Sequence, residues 1–433
     1  MDRFRAGCAG VALIGVLATA AASVGARSDS EASGSRQAAK YCQAMATKFA
    51  DSDITPALLV SYEVPPEALD RNLALSQAAY VYDNALAAIA FVACGRVSEA
   101  RRIADALVAA ASRDRTYRDG RIRNTYRAGR MDVQAPAPHR WRDSTVRGWI
   151  EDGHQIGSTT GNASWVAIAL LTVSEAANEP RYRDTAASIM TWIAGLACGC
   201  GSQGCAVFGF PGGIDGEEPH STALTWKSTE HNIDAYAAFA WLAQNETGSA
   251  QRANVWRQCA DAALVFIAAM FDESEGRFLL GTTTDGHTLV REGSGLDTQL
   301  WPILAVSRSP AQWLRSVAWA EQHHGVVGGF DFNDDRDGLW IEGTGQAALL
   351  YKALGRSGLA DQLLAEIDRD QSPGGLLYAS RTPRLTTGLR LGPQSTTDDF
   401  VYQRFPHLGA TAWATLAAAG WNPLTGRLVR RQS

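Results

Sequence analysis

The sequence predicts an all-α fold in which six inner helices form a ring inside six outer helices. A cluster of polar residues followed by an Ala-rich helix recurs six times along the 433 residues. Each of these helices is apolar on most sides, and the helix that follows it has a single apolar stripe. A helix that is apolar all round belongs in a core, whereas a striped helix covers a core with one face. Repeated pairs of this kind predict two concentric layers of helices.

The predicted helices alternate in this way from one end of the chain to the other. The inner helices cover residues 80–93, 162–176, 230–244, 296–306, 342–354 and 407–420. The outer helices that follow them cover residues 98–112, 182–197, 252–271, 311–323 and 357–368. An amphipathic helix at 36–50 precedes all of these. We expect it to pack outside the last inner helix and so to close the ring.

The connections between helices are alternately short and long. Inner-to-outer connections take a few residues, whereas the outer-to-inner connections cover residues 113–161, 198–229, 272–295, 325–340 and 371–405. The long loops therefore gather at the end of the ring where the inner helices begin. Strand-like stretches at 276–283 and 374–380 predict small β-hairpins on this rim. Because long structured loops on a rigid scaffold often carry function, we expect the functional site at this rim.

Composition and charge narrow the classes of partner. Hydrophobic residues make up 46% of the chain, charged residues 20%, and the formal net charge is -5. Neither terminus carries a long run of like charge. These features argue against a nucleic acid or an anionic membrane surface as partner. A small soluble substrate or a polysaccharide remains open.

The N-terminus has the build of a secretory signal peptide. A positively charged start at 1–5 precedes an apolar run at 8–22 and small residues at 24–26. This pattern predicts a signal peptide at 1–26, a spacer at 27–35 and a single helical domain at 36–433. The apolar run is short for a membrane span, although an uncleaved anchor is the alternative. We therefore expect an exported protein, periplasmic or extracellular, without a stable membrane span after cleavage.

Two segments raise the question of a metal. Cys198, Cys200 and Cys205 lie in a Gly-rich loop and predict a short disulfide or free thiols, because no fourth zinc ligand stands at a standard spacing. Asp331, Asn333, Asp335 and Glu342 have the spacing of a calcium loop, with Arg336 at the position that requires glycine. A calcium ion there would take Glu342 as a ligand. The sequence predicts no metal and no cofactor, and calcium is the alternative.

The starts of the predicted inner helices carry a resemblance to a known family. They include Asp83-Asn84, Glu230-His231-Asn232, Asp297 and the segment 340–346, which reads Trp-Ile-Glu-Gly-Thr-Gly-Gln. With six helical hairpins, this layout resembles the six-hairpin glycosidase superfamily and its (α/α)6 toroid. The resemblance implies a carbohydrate-active protein, since members of that superfamily mostly hydrolyse, phosphorolyse or isomerise sugars and some are polysaccharide lyases. A fold alone does not fix the reaction.

Acidic residues at the inner-helix starts are the candidate catalytic groups. Glycoside hydrolysis uses two carboxyl groups on either side of the scissile bond. We predict Glu230 and Glu342 as this pair, with Asp297 beside them. Glu342 follows Trp340 in a partly apolar setting that favours a raised pKa and the role of acid, which leaves Glu230 as base or nucleophile. The alternative for each is an acidic residue that only complements a helix N-terminus.

Aromatic and polar residues near the same helix starts are the candidate substrate-binding groups. Aromatic rings stack on the C–H faces of sugars, and histidines and amides bind hydroxyl groups. The predicted set is Asp83, His154, Trp165, Trp226, His231, Asn232, Asp234, Tyr236, Trp301, Trp340, Tyr402 and His407. The alternative for these residues is an aromatic core with hydrogen-bonded structural histidines.

The leading function is an exported glycoside hydrolase that acts on a polysaccharide or an oligosaccharide. A polysaccharide lyase is an alternative, with His231 and Tyr236 as bases and Arg121 and Arg123 to neutralise a uronate. A sugar isomerase of the same fold is another, because histidines at helix starts suit proton transfer. A glycan-binding or export accessory protein without a productive carboxylate pair is the non-enzymatic alternative. The predicted partner in every case is a carbohydrate.

Overall fold

A computed structural model describes residues 33–49, 55–131, 137–197, 208–390 and 400–429. The signal peptide and the cysteine group at 198–205 lie outside these residues. The described part of the chain contains thirteen α-helices. They are α1 (33–46), α2 (Val81–Ala93), α3 (Val97–Ser112), α4 (Gly153–Ile156), α5 (Thr160–Ala177), α6 (Pro180–Leu196), α7 (Thr229–Asn245), α8 (Ala250–Ala269), α9 (Leu296–Ala305), α10 (Arg315–His323), α11 (Ile341–Ala353), α12 (Ser357–Ile367) and α13 (Leu408–Ala419).

Six of these helices form a closed inner ring. Each inner helix contacts the next one in the order α2, α5, α7, α9, α11 and α13, and α13 contacts α2. The helices α3, α6, α8, α10 and α12 each pack outside the inner helix that precedes them. This arrangement confirms the predicted (α/α)6 toroid.

Side-chain composition explains which helices lie inside. In α13 every residue from Leu408 to Ala418 is buried, whereas α12 buries only Ala360, Leu364 and Ile367. The inner helices are rich in alanine, so neighbouring helices approach closely and still fill the core. The outer helices need only one apolar face because the other face meets water.

The first helix closes the outer layer, as predicted. In α1, Cys42 forms a disulfide with Cys94 at the end of α2. On the same helix, Tyr41 donates a hydrogen bond of 2.7 Å to Asp368, the residue after α12. The chain segment before the first inner helix is therefore joined both to that helix and to the last outer helix.

The connections on the rim contain short antiparallel strand pairs and one three-stranded sheet. The pairs are Ala57–Leu58 with Gly129–Arg130, Ala78–Tyr80 with Thr125–Arg127, Trp141–Asp143 with Gly148–Ile150, Phe271–Asp272 with Arg277–Phe278, Gly281–Thr282 with Leu289–Val290, Gly325–Val326 with Gly329–Phe330, and Arg384–Thr386 with Val401–Gln403; the sheet joins Ser158–Thr159, Gly213–Asp215 and Thr222–Leu224. A further pair, Trp421–Asn422 with Arg427–Leu428, follows α13 at the opposite end of the ring.

Some local elements differ from the prediction. The stretch 374–380 forms isolated bridges, such as Gln371 with Leu377, in place of a regular hairpin. The predicted outer helix at 311–323 begins with a 3-10 turn at Ala311–Leu314. The loop at 113–161 contains the short helix α4, whose first turn is capped by Asp152. Each difference involves only a few residues.

No helix among the described residues is long and apolar enough to cross a membrane.

Removal of the Cys42–Cys94 disulfide is expected to destabilise the toroid. The bond closes a loop with a sequence separation of 52 residues, so the loop-entropy estimate for its contribution is about 4 kcal/mol. The double variant Cys42→Ala/Cys94→Ala should show a free energy of unfolding lower by roughly that amount in urea titrations. An unchanged unfolding midpoint in the double variant would contradict the proposed joining role of α1.

Candidate functional site

A cavity of about 490 Å³ opens at the end of the ring where the inner helices begin. Most of the residues predicted to form the site line it. They are Asp83, His154, Trp165, Trp226, Glu230, His231, Asp297, Trp340, Glu342, Tyr402 and His407. The helix starts bring these residues together from positions more than 300 residues apart in the chain.

Two predicted binding residues have structural positions instead. The side chain of Asn232 is fully buried and exchanges hydrogen bonds with the backbone of Phe210 at 2.7 and 3.1 Å. It therefore fastens the preceding loop to α7. Tyr236 does not line the cavity, and it lies two helical turns further along α7 than Ser228, the N-cap of that helix.

Trp301 and Asp234 lie beneath the cavity and not in its lining. Trp301 is buried against Trp165 and Trp413, and its indole nitrogen donates to Gln346 at 3.1 Å. Asp234 is completely buried one turn after Glu230 on α7. Burial, followed by the charges of Glu230 and Asp297, raises the pKa of Asp234 well above its ordinary value. Asp234 is therefore a neutral acid under the cavity floor.

Glu342 is held by a chain of hydrogen bonds between three inner helices. Tyr82 on α2 donates to Glu342 Oε1 at 2.6 Å, and Trp413 on α13 donates to the Tyr82 hydroxyl at 3.0 Å. Glu342 Oε2 has no hydrogen-bond partner among the described residues, although the side chain is only 1% exposed. The carboxyl group is thus fixed through one oxygen, and the other oxygen remains available.

The pKa of Glu342 is raised to about 7. Burial is the main cause, because it disfavours the charged form, and the charges of Asp83 and Asp297 add to it. A positive charge on His407 and the hydrogen bond from Tyr82 act in the opposite direction, since both favour the carboxylate. This carboxyl group is therefore poised to change its protonation state near neutral pH.

His407 links the N-terminus of α13 to two of the carboxyl groups. Its Nδ1 accepts the backbone N–H of Ala410 at 3.2 Å and caps the helix. Its Nε2 lies 3.3 Å from Asp83 Oδ1, and its Nδ1 lies 3.8 Å from Glu342 Oε2. Burial lowers the pKa of His407, but the charge and hydrogen bond of Asp83 outweigh burial and raise the pKa overall. Because the cap occupies Nδ1, the neutral ring carries its proton on Nε2, toward Asp83.

Glu230 and Asp297 complete the acidic group. The pKa of Glu230 is raised well above its usual value by burial and then by the charges of Asp297 and Glu342. Burial also raises the pKa of Asp297 to about 6, against the effect of a hydrogen bond from the backbone N–H of Thr298. Although Glu230 is surrounded by protein, its side chain is partly open to the cavity. Three carboxyl groups that line one desolvated cavity and interact through their charges do not all ionise at neutral pH.

The histidines on the other side of the cavity are neutral at pH 7. Burial and the nearby His154 lower the pKa of His231 to about 4, and burial lowers that of His154 as well, against the charge of Asp152. The ring of His231 lies against the backbone of Gly161, where a β-carbon would overlap it. The glycine in the first turn of α5 is thus required for the position of His231.

Several lining residues lacked a signal in the sequence. Tyr62 stacks on His407 with ring centroids 4.2 Å apart, but it lies in an irregular segment. Gln155 lines the cavity and its amide donates to Tyr80 at 3.1 Å, from the short helix α4 that the prediction missed. Arg71, the last residue of a 3-10 helix at Pro66–Arg71, and Arg390 also line the cavity. Their roles depend on how the loops fold back on the ring, which no local pattern encodes.

The arginines suggested for uronate binding do not reach this cavity. Arg123 is fully buried and pairs with Asp114 at 2.6 Å and with Glu217 at 2.9 Å. The guanidinium of Arg121 lies over the ring of Tyr117, at 3.8 Å. Neither residue is among those that line the cavity. Both arginines hold the long loop between α3 and α5 in place.

The residues of the possible calcium loop lie in two separate places. Asp331, Asp335 and Asp337 lie close together, whereas Glu342 faces the cavity at the start of α11. The oxygens of Asp331 already accept the backbone N–H groups of Phe332 and Gly338. The loop therefore does not bring Glu342 to the other predicted ligands.

Comparison with known proteins gives matches in structure only. No family profile and no curated sequence matches the chain. A glycosidase solved in complex with glucose matches with a TM-score of 0.59 at 13% identity, covering 92% of this chain and 98% of that chain. The chain therefore shares the (α/α)6 toroid fold with this glycosidase. A cellobiose 2-epimerase from Bacillus thermoamylovorans matches with a TM-score of 0.57 at 10% identity, over 87% of this chain and 95% of that chain.

A third solved structure also matches over most of the chain at low sequence identity. An α-mannanase from Bacteroides thetaiotaomicron gives a TM-score of 0.51 at 10% identity, covering 88% of this chain and 95% of that chain. These three structures differ in the reactions that their names state, although they share the toroid. The comparison therefore establishes the fold and leaves the reaction to the site.

The Tyr82→Phe variant is expected to shift the pH dependence of turnover. The Tyr82 hydroxyl lowers the pKa of Glu342 by donating to its carboxylate. Its removal raises the pKa of Glu342. If activity needs ionised Glu342, the fall in activity on the acidic side of the profile should therefore move to a higher pH than in the wild type. Profiles of kcat/KM against pH measure this shift on any substrate that is turned over.

Tyr41→Phe is the matched control for that experiment. Tyr41 also donates to a carboxylate, that of Asp368, but it lies on α1 outside the cavity. We expect the pH profile of this variant to coincide with that of the wild type. Identical profiles for Tyr82→Phe and wild type would remove Tyr82 from the control of Glu342.

Proposed function

We propose that the protein is an exported carbohydrate-active enzyme and, more specifically, a glycoside hydrolase. The observation that carries this proposal is the group formed by Glu230, Asp297 and Glu342 in one cavity, with every pKa raised. Glycoside hydrolysis needs one protonated and one ionised carboxyl group at the same pH. Neighbouring acids with different surroundings supply that combination.

The surroundings of the two glutamates favour the reverse of the roles predicted from their positions. Glu342 accepts a hydrogen bond from Tyr82 and lies near His407, and both interactions favour a carboxylate. Glu230 has no comparable interaction that favours its charged form, and the charges of Asp297 and Glu342 raise its pKa further. We therefore assign Glu230 as the general acid and Glu342 as the base or nucleophile. Asp297 contributes negative charge beside them.

The remaining cavity wall suits a sugar. Trp226, Trp340 and Tyr402 present aromatic rings, while His154 and Gln155 supply polar groups. A cavity wall with both aromatic and polar side chains can bind the apolar face and the hydroxyl groups of a pyranose at the same time. The sugar-active enzymes of the same fold support a carbohydrate as substrate.

Two features support export. The N-terminal segment has the composition of a signal peptide, and the Cys42–Cys94 disulfide is of the kind that persists in an oxidising compartment. We propose a periplasmic or extracellular location on these grounds.

Sugar epimerisation is the second candidate. His154, His231 and His407 all line the cavity, and a cellobiose 2-epimerase shares the fold. Histidine side chains are common general bases and acids, so residues in these positions suit proton transfer at a sugar carbon. The products separate the candidates, since an epimerase creates a new sugar without new reducing ends.

Substitution of either glutamate is the direct test. We expect Glu230→Gln and Glu342→Gln to lower the release of reducing ends by about 10²- to 10⁴-fold, the usual contribution of a general acid or base. The assay uses neutral, acidic and amino polysaccharides and records the ultraviolet absorbance of unsaturated uronates in parallel. Glu175→Gln is the matched control, because this glutamate pairs with Arg427 at the opposite end of the ring.

Each other outcome of this assay selects another function. Rising absorbance would indicate a lyase, and a new epimer with constant reducing ends would indicate an isomerase. Binding without turnover on any polymer would assign the protein to the non-catalytic accessory class. Full activity in both glutamine variants would contradict the proposed carboxylate pair.

A further inference from the structure

The loop between α3 and α5 is strongly basic although the whole chain is acidic. Residues 113–147 contain ten arginines and four aspartates, whereas the formal net charge of the protein is -5. Several of these arginines are structural, such as Arg123 with Asp114 and Arg115 with Glu151. Arg142 and Arg147 belong to the hairpin formed by Trp141–Asp143 and Gly148–Ile150, and Arg140 directly precedes it.

One face of this hairpin combines an exposed indole with guanidinium groups. Trp149 is 61% exposed, although buried positions are usual for so large an apolar ring. Arg142 stands directly opposite Trp149 in the strand pair, so both side chains project from the same face. The guanidinium of Arg140 lies 4.8 Å from the centre of the Trp149 ring. We call Arg140, Arg142 and Trp149 the hairpin platform.

The charges of the platform are not neutralised by nearby acids. Arg140, Arg142 and Arg147 are exposed, and none of them forms an ion pair with an acidic group among the described residues. The hairpin's own carboxylate, Asp143, accepts the backbone N–H groups of Thr145 and Val146 and fixes the turn. The platform is therefore preorganised and carries net positive charge.

The platform stands beside the cavity. The opposite face of the hairpin buries Trp141, which stacks on His139, and His139 in turn bonds to the cavity residue Gln155 at 2.6 Å. Asp152, which lines the cavity, follows Trp149 by three residues, a span of at most about 11 Å. Arg71 and Arg390 extend positive charge into the cavity lining itself.

We propose that the hairpin platform binds a uronate-containing polysaccharide chain next to the cavity. The indole of Trp149 stacks on the C–H face of a sugar ring, and the guanidinium groups pair with the carboxylates, which they match in geometry. This inference rests on the proposed carbohydrate function and specifies the class of substrate as acidic.

Other polyanions fit the platform less well. A DNA-binding surface typically neutralises roughly six to ten phosphates, whereas the hairpin offers three unpaired guanidinium groups. Trp149 and Val146 are the only large apolar side chains that the described hairpin exposes, which is little surface for a membrane. A single ring flanked by a few cations matches the repeat of an acidic polysaccharide.

Affinity electrophoresis of the full chain in gels with and without polygalacturonate tests this proposal. We expect the polymer to retard the wild type, and Trp149→Ala and Arg142→Ala each to weaken binding about tenfold, as truncation of an interface hot spot does. Trp149→Phe should retain most of the binding because the ring can still stack. Arg183→Ala, an exposed arginine on α6, is the charge control and should bind like the wild type.

Three results would overturn the inference. The first is equal retardation of Trp149→Ala, Arg142→Ala and the wild type. The second is equally strong binding to neutral dextran, and the third is equal or stronger binding to RNA or to anionic vesicles that falls with the same substitutions. Because the gels measure binding without turnover, absence of hydrolysis leaves this result intact. Conversely, hydrolysis of neutral substrates with no effect of Trp149→Ala would refute the platform alone.

Discussion

The convergence of six helix N-termini at one end of the ring is the constraint on which the site depends. Each N-terminus carries partial positive charge, which favours acidic side chains such as Asp83, Asp297 and Glu342 in the first turns. The same convergence buries these acids, and burial raises the pKa values of Asp297 and Glu342. The opposition between dipole and burial yields carboxyl groups that titrate near neutral pH, which acid–base chemistry requires.

Glycines in the first helical turns make this convergence sterically feasible. A β-carbon on Gly409 would lie 2.5 Å from Asp83 Oδ1 and 3.0 Å from Glu342 Oε2. Likewise, Gly161 leaves room for His231, and Gly343 leaves room for Trp340. Glycine in a helix costs about 1 kcal/mol relative to alanine. These glycines thus lower the stability of the helix starts but leave space for the side chains that line the cavity.

The walls of the cavity come from loops, and the loops depend on buried polar contacts. Arg123, with Asp114 and Glu217, anchors the loop that carries the hairpin platform, and Asn232 anchors the loop before α7. A buried charge is tolerated only when paired in this way. Fixed loops explain how one scaffold presents a deep acidic floor beside a basic rim. In the proposed function, the acidic floor would act on the reacting bond and the basic rim on the flanking chain.

The sequence by itself determined the twelve-helix ring, its closure by α1 and the end at which the site lies. These features follow from helical periodicity and alternating loop length, which are local properties of the chain. Periodicity also predicted that Glu230, Asp297 and Glu342 open inner helices, and each lies in a first helical turn that lines the cavity.

Only the tertiary structure decided what each of these residues touches. Asn232 and Asp234 share a helix start with Glu230, yet the first binds a loop and the second lies below the floor. Tyr62 and Gln155 reach the cavity from segments without a regular pattern. The protonation of Glu342 depends on Tyr82, 260 residues away in the chain. Long-range contacts and burial set these properties, because a pKa or a side-chain partner depends on neighbours in space and not on neighbours in sequence.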